Sequence, residues 1–173
     1  MKTIFEGVVI SCYGQAYVHF KDTYDYGDDV RKGQMNGLLG AAQPTTLFLT
    51  FGLHTGNVKL SLRVADKAPD FDESWEEVVE ASFGVPDSQE IEFTDWNGDI
   101  QQALPLAAGT YRVRYTANNF GEAEDLPESE NDASPIERYE LTFWPAPREP
   151  DRVLKVTRSA AQYWHDHAQG KVP

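Results

Sequence analysis

The sequence predicts an all-β protein: an antiparallel β-sandwich of about eight strands with a short C-terminal helix. Three observations predict it. Apolar and polar residues alternate with period two through most of the apolar segments. Gly, Pro, Asn and Asp interrupt these runs at short spacing, as turns do. Each run has a single apolar face, which fits antiparallel strands with one wet side rather than a parallel sheet buried on both. At 173 residues the chain reads as a single domain, 1–173. A domain of that size buries about 70% of its unfolded surface, enough for one sizeable core.

The elements follow in order. Segments 4–11 and 15–20 are strands joined around Tyr13-Gly14. Segment 25–43 is rich in Gly and Asp and reads as irregular, with a short helix possible near 28–32. Leu47, Leu49, Phe51 and Leu53 recur at every second position, as do Val58, Leu60, Leu62 and Val64, the latter alternating with Lys59, Ser61 and Arg63. His54-Thr55-Gly56-Asn57 lies between them, so 47–53 and 58–64 are predicted to pair as a hairpin. Val79, Ala81, Phe83 and Val85 form the next strand, stopped by Pro86-Asp87. Ile91 and Phe93, then Tyr111, Val113 and Tyr115, then Tyr139, Leu141 and Phe143 mark three more. Segment 118–134 holds six acids and no Lys or Arg, and is expected to be a flexible acidic loop. Trp144-Pro145-Ala146-Pro147 is a stiff extended linker within the C-terminal piece 145–168. A helix is predicted over 158–167, with Thr157 as its N-cap and Ala160, Tyr163, Trp164 and His167 on one face.

The charge points to a class of function. The chain carries 28 acidic and 15 basic residues, net −13. Such a surface attracts cationic partners and repels nucleic acid and anionic membranes, so neither nucleic acid nor a membrane is expected as a partner. The candidate partner-binding residues are Asp22, Asp25, Asp28 and Asp29 in one acid-dense segment and Glu122, Glu124, Asp125 and Glu128 in the other. The first four could also ligate calcium, but their spacing does not match an EF-hand loop and a solvated turn is the plainer reading. No metal or other cofactor is expected. His165 and His167 stand two apart and face different ways on a helix, unlike the i, i+4 pair of a zinc site. No nucleophile or orienting acid is nominated for His54, and the chain lacks a nucleophile elbow, a phosphate-binding loop and a dinucleotide fingerprint. No catalytic residue is therefore nominated, and the chain is expected not to be an enzyme.

Two other clusters have competing readings. Lys59, Arg63, Arg112 and Arg114 occupy the outward positions of strands and could form an anion site; cross-strand pairing with Glu80, Glu90, Glu92 and Glu140 accounts for them more simply. Trp75 and Trp96 flank strand ends in polar surroundings and could bind a small molecule or a sugar; rim packing is the alternative. The lone Cys12 excludes an internal disulfide and reads as a small buried hydrophobe among Val9, Ile10 and Tyr13. The first ten residues lack the apolar core of a signal peptide, and no apolar run approaches the ~20 residues of a membrane span. The expected location is cytoplasmic.

Three stretches carry a family resemblance: Tyr17-Val18-His19-Phe20-Lys21-Asp22, Asp28-Asp29-Val30-Arg31-Lys32-Gly33 and Gly109-Thr110-Tyr111-Arg112-Val113. With them the layout resembles the bacterial competence protein J family, inhibitors of a DNA-entry nuclease. The resemblance implies a β-sandwich whose task is protein binding, the class that the charge also indicates. The expected function is thus a non-enzymatic acidic binding protein, an inhibitor or immunity protein for a basic nuclease or toxin. A small-molecule or carbohydrate-binding sandwich using Trp75 and Trp96 is the alternative.

Overall fold

Alternation in the sequence becomes strand in the structure, a computed structural model that describes residues 1–23 and 29–172. The strands are β1 (Lys2–Cys12), β2 (Gln15–Phe20), β3 (Leu39–Gly40), β4 (Thr46–Thr50), β5 (Thr55–Val64), β6 (Glu77–Val85), β7 (Ile91–Asp95), β8 (Gln101–Leu104), β9 (Gly109–Asn118), β10 (Arg138–Pro145) and β11 (Arg152–Lys155). A 3-10 turn covers Glu122–Asp125, and two helices follow, α1 (Glu128–Ala133) and α2 (Ser159–Ala168).

The eleven strands among the described residues belong to one mixed sheet, in the order β11-β6-β9-β10-β5-β1-β2-β4-β3, with β7 on β2 and β8 on β7. The purely antiparallel sheet expected from the sequence is corrected at one place: β5 and β10 run parallel, with Leu60 opposite Tyr139 and Leu62 opposite Leu141. Nor are there two separately bonded sheets, because β1 continues into β2 through the pair Cys12–Gln15. The sheet curls instead. Four strands separate β2 from β6, so in a flat sheet they would lie about 24 Å apart. Yet Phe20 on β2 and Phe83 on β6 have ring centroids 5.9 Å apart. Phe51 meets Tyr139 at 4.8 Å, and the Tyr115 hydroxyl donates to the Thr50 carbonyl at 2.9 Å. One core fills the fold, with Val9, Val18, Leu49, Leu60, Phe93, Val113, Leu141 and Phe143 all buried. Each strand therefore needs one apolar face, as the alternation indicated.

The predicted hairpin does not form. β4 pairs with β2 and β3, whereas β5 pairs with β1 and β10. The alternation of Leu47, Leu49, Phe51 and Leu53 correctly marks burial, but the chain at 51–54 crosses to the other half of the curled sheet rather than turning back on itself. Thr55, Gly56 and Asn57 open β5 instead of closing a turn.

The C-terminal helix forms with a different cap and face. Arg158, not Thr157, is the N-cap residue, and no side chain of the helix caps it. The buried Glu77 on β6 does so instead, accepting the N–H groups of Thr157 at 3.0 Å and Arg158 at 2.8 Å. A carboxylate at a helix N-terminus satisfies orphan donors and complements the helix dipole. The buried side chains are Ala161 and His165, while Tyr163 and His167 are exposed. α2 lies close on the chain at Gly37, where an added Cβ would sit 1.9 Å from the Trp164 carbonyl oxygen, so only glycine fits there. The Gly37 N–H donates to Nδ1 of His165 at 3.0 Å. Arg31 closes the other side, its guanidinium stacked between Phe48 and Trp164. Cys12 is half-buried rather than buried, because it ends β1 on the outward side.

Two predictions follow from this packing. Leu60→Ala should cost about 2–5 kcal/mol, read as a lower urea midpoint with an unchanged slope; an unmoved midpoint would contradict its place in the core. Burial pulls His165 from 6.5 to about 4, against the nearby Asp166 and Asp151. The folded value lies below the unfolded one, so protons favour the unfolded chain. This contribution, at most about 3 kcal/mol, is complete above pH 6.5 and lost as pH falls towards 4. NMR titration of the His165 ring should place its midpoint near 4, and a midpoint near 6.5 would refute the burial argument.

Candidate functional site

An acid immediately before β10 organises one end of the molecule. Glu137 is fully buried. Its Oε1 accepts the N–H groups of Gly121 at 2.9 Å and Ala123 at 3.4 Å. Its Oε2 accepts the Leu53 N–H at 3.0 Å and a short hydrogen bond from the Tyr139 hydroxyl. That hydroxyl in turn accepts the Gly52 N–H at 2.7 Å. Four donors and no acceptor suit an ionised carboxylate. Burial pushes Glu137 above the usual carboxylate range, and the hydrogen bonds pull it back. Burial also raises the Tyr115 and Tyr139 phenols well above their ordinary value, with the nearby Glu137 charge adding to it. Gly52 and Gly121 meet backbone to backbone beside this group: a Cβ on Gly52 would lie 2.0 Å from the Gly121 nitrogen.

The segment 118–134 is thereby anchored rather than being a loop throughout. Phe120, Ala123 and Asn131 are buried, and Asn131 Nδ2 donates to the Asn57 carbonyl at 3.0 Å. Its acids then divide. Glu122 pairs with Arg158, and Glu124 accepts the His54 N–H. Asp125, Glu128, Glu130 and Asp132 are exposed and make no ion pair among the described residues. Leu53, Gly56, Ala123, Leu126, Glu128 and Asn131 border a shallow cleft of ≈ 250 Å³ beneath them.

A row of aromatic rings starts at His54, whose N–H Glu124 accepts. The His54 ring lies 5.2 Å from Tyr13, Tyr13 lies 5.3 Å from Trp96, and Trp96 lies 6.3 Å from Tyr17. Tyr13 occupies the β1–β2 turn with φ 56° and is 62% exposed; Trp96 is 43% exposed. Exposed Tyr and Trp in contact with one another are what an interface anchor requires.

The residues nominated from sequence are thus only partly brought together. Glu122, Glu124, Asp125 and Glu128 lie in one segment, which Glu124 connects to Trp96 by way of His54 and Tyr13. Asp22 is exposed in the turn after β2, about 20 Å of strand away from Tyr13. Asp29 is exposed in the turn that follows. Asp25 and Asp28 lie outside the described residues. Trp75 is buried, with the Arg138 guanidinium 4.6 Å above its ring, so it has different neighbours from Trp96. The outward basic row is largely spent in cross-strand pairs: Arg63 with Glu140 at 3.2 Å, Arg112 and Arg114 with Glu80 at 3.2 and 2.9 Å. Glu90 instead pairs with Lys21, and Glu92 lies near His19. Among the described residues, no three His, Cys, Asp or Glu side chains are placed to hold a metal ion, and no helix is long and apolar enough to cross a membrane. Sequence reasoning missed Tyr13 and His54 as parts of this surface and Glu137 as the buried group behind it; only the Tyr13-Gly14 turn composition hinted at the first.

Fold and surface together define a class: a curled, mixed β-sheet protein presenting an acidic and aromatic end. Among solved structures, the chain is similar to ComJ from Bacillus subtilis, described as an inhibitor of the DNA-degrading activity of NucA. The TM-score is 0.54 at 15% identity, covering 84% of this chain and 98% of that one. It is also similar to a protein described as crocagin biosynthetic gene J, with TM-score 0.52, 13% identity, and 82% and 96% coverage. At these identities the likeness concerns the fold, and there it bears out the resemblance noted from sequence. No family model matches the chain, and no curated protein sequence matches it significantly.

Glu137→Leu should leave three backbone N–H groups without their acceptor. We expect a loss of about 3 kcal/mol and faster amide exchange at Leu53, Gly121 and Ala123, with the central strands still protected. Unchanged exchange at all three would contradict the anchoring role.

Proposed function

We propose that this chain is a non-enzymatic binding protein that inhibits a basic nuclease or a toxin of that kind, acting as its inhibitor or immunity partner. The observation that carries the reading is the group Asp125, Glu128, Glu130 and Asp132. These acids have no cationic partner among the described residues, and their segment is tied through Glu124 to His54, whose ring lies against the exposed Tyr13. The fold likeness to ComJ supports it, and the net charge of −13 agrees with it. The physical account has two parts. Exposed acids occupy the positions that DNA phosphates would take on a cationic nuclease surface and speed encounter by long-range attraction. The aromatic rings, once desolvated, slow dissociation. The acid segment around Asp22 and Asp29 stands apart from this surface and adds to the long-range field alone.

The test uses a DNA-degrading nuclease from the same source. Inhibition should follow one-to-one binding, and association should slow steeply as salt rises, because a Debye length of ~10 Å at 0.1 M screens exposed charges. Replacing Asp125, Glu128, Glu130 and Asp132 with their amides should lower the on-rate about tenfold or more while changing the off-rate little. Trp96→Ala should raise the off-rate by about thirtyfold, the equivalent of ~2 kcal/mol. Binding that ignores both salt and these changes would overturn the proposal.

A further inference from the structure

The shallow cleft beside the acid segment has a chemistry of its own. Its apolar walls include Leu53, Ala123 and Leu126, and its polar walls include Glu124, Glu128 and Asn131. Among the described residues, no basic one lines it. The two carboxylates are therefore unbalanced within the cleft, unlike Glu122, which pairs with Arg158. Glu124 spends one oxygen on the His54 backbone N–H, and Glu128 makes no ion pair among the described residues.

Asn131 is 4% exposed. Its Nδ2 donates to the Asn57 carbonyl at 3.0 Å, and its Oδ1 has no hydrogen-bond partner. That bond settles which way the amide points, because the reverse would set two oxygens against each other. Oδ1 is thus a stranded acceptor, which native proteins rarely leave buried.

These walls ask for one kind of guest. The groups left open are all acceptors, two of them charged, so the guest must donate hydrogen bonds and carry positive charge. The apolar walls ask for an aliphatic stem behind that charge. A bare metal ion has no stem, and the described residues place no three His, Cys, Asp or Glu side chains to hold one. Water would serve Oδ1 but leave the carboxylates unbalanced. The volume of ≈ 250 Å³ is below the about 300–1,000 Å³ of small-molecule pockets, so it suits a single side chain.

We propose that this cleft takes one lysine or arginine side chain of the partner, its stem along Leu53, Ala123 and Leu126 and its cationic head at Asn131 Oδ1 and the two carboxylates. The inference rests on the reading of this surface as the docking site for a basic protein. It adds a division of labour: the exposed acids govern capture, and the buried acceptor governs release.

The first arm of the experiment needs no nuclease. N-acetyl-lysine methylamide is titrated into the full chain at low salt, and the Asn131 side-chain amide and the Ala123 and Leu126 backbone amides are followed by two-dimensional NMR. The norleucine analogue, which keeps a stem but lacks the charge, and calcium are parallel probes. The lysine probe should give saturable shifts at all these positions and bind at least about tenfold more tightly than the norleucine analogue. Asn131→Leu should weaken it about tenfold. Glu128→Gln, an exposed change that leaves the core untouched, should weaken it about threefold. Asp87→Asn removes the same charge from an exposed position after β6, outside the cleft walls, and should change nothing. In the second arm, the nuclease complex of Asn131→Leu should dissociate about tenfold faster with its on-rate unchanged. Absence of saturable lysine shifts, equal binding of the norleucine analogue, saturable calcium binding at these positions, or full probe affinity in Glu128→Gln would each overturn the proposal. A nuclease whose on-rate follows the acids but whose off-rate ignores Asn131→Leu would overturn the cleft assignment and spare the inhibitor reading. Lysine shifts without any nuclease binding would uphold the cleft and sink the inhibitor reading.

Discussion

The buried carboxylate of Glu137 is the constraint around which one end of this fold is assembled. It sits at the entry to β10 and gathers N–H groups from two turns remote in sequence, at Leu53 and at Gly121 and Ala123. Burying a charge is costly unless every lone pair is used, and here the Tyr139 hydroxyl completes the set. The same hydroxyl holds Gly52. The crossing of the chain between the two halves of the curled sheet and the return of the chain after β9 are thus locked to one group. The acidic and aromatic surface rests on that lock: Glu124 reaches His54 from one turn, and His54 lies against Tyr13 on another.

The net charge of −13 is therefore not a uniform coat. Some acids are structural. Glu77 caps α2, Glu80 holds Arg112 and Arg114, Glu137 joins the turns, and Asp151 accepts the N–H groups of Met35 and Asn36 at 2.8 and 2.7 Å. Each serves a backbone or guanidinium donor that would otherwise be stranded. Others, such as Asp125, Glu128, Glu130 and Asp132, serve no internal donor among the described residues. This division separates charges whose removal damages the fold from charges whose removal alters only what the surface attracts.

Much of the strand content was legible because alternation reports burial directly, and burial here is one-sided. Val58, Leu60 and Leu62 announce β5 whichever strand it pairs with. Pairing is a different matter. That β5 lies beside β1 and runs parallel to β10 depends on contacts far along the chain, and the local turn chemistry of 54–57 pointed to the wrong neighbour. The two-residue β3 and the four-residue β8 and β11 are too short to show a period. Half of the acidic site could be seen as a run of acids in 122–132, and Trp96 stood out by its polar flanks. Glu137 could not, since nothing in its own neighbourhood distinguishes it from the exposed acids. Its role comes from donors on two distant turns.

The proposed inhibitor role is tested most directly by whether, and where, a nuclease touches this chain. The direct measurement is mapping of the ¹H–¹⁵N spectrum of the full chain on addition of that nuclease. The account predicts broadening or shifts at Tyr13, His54, Trp96 and across 122–132, with α2 and β11 unaffected. Perturbation confined to α2, β11 or the outward face around Arg138, with Tyr13 and Trp96 unmoved, would contradict it.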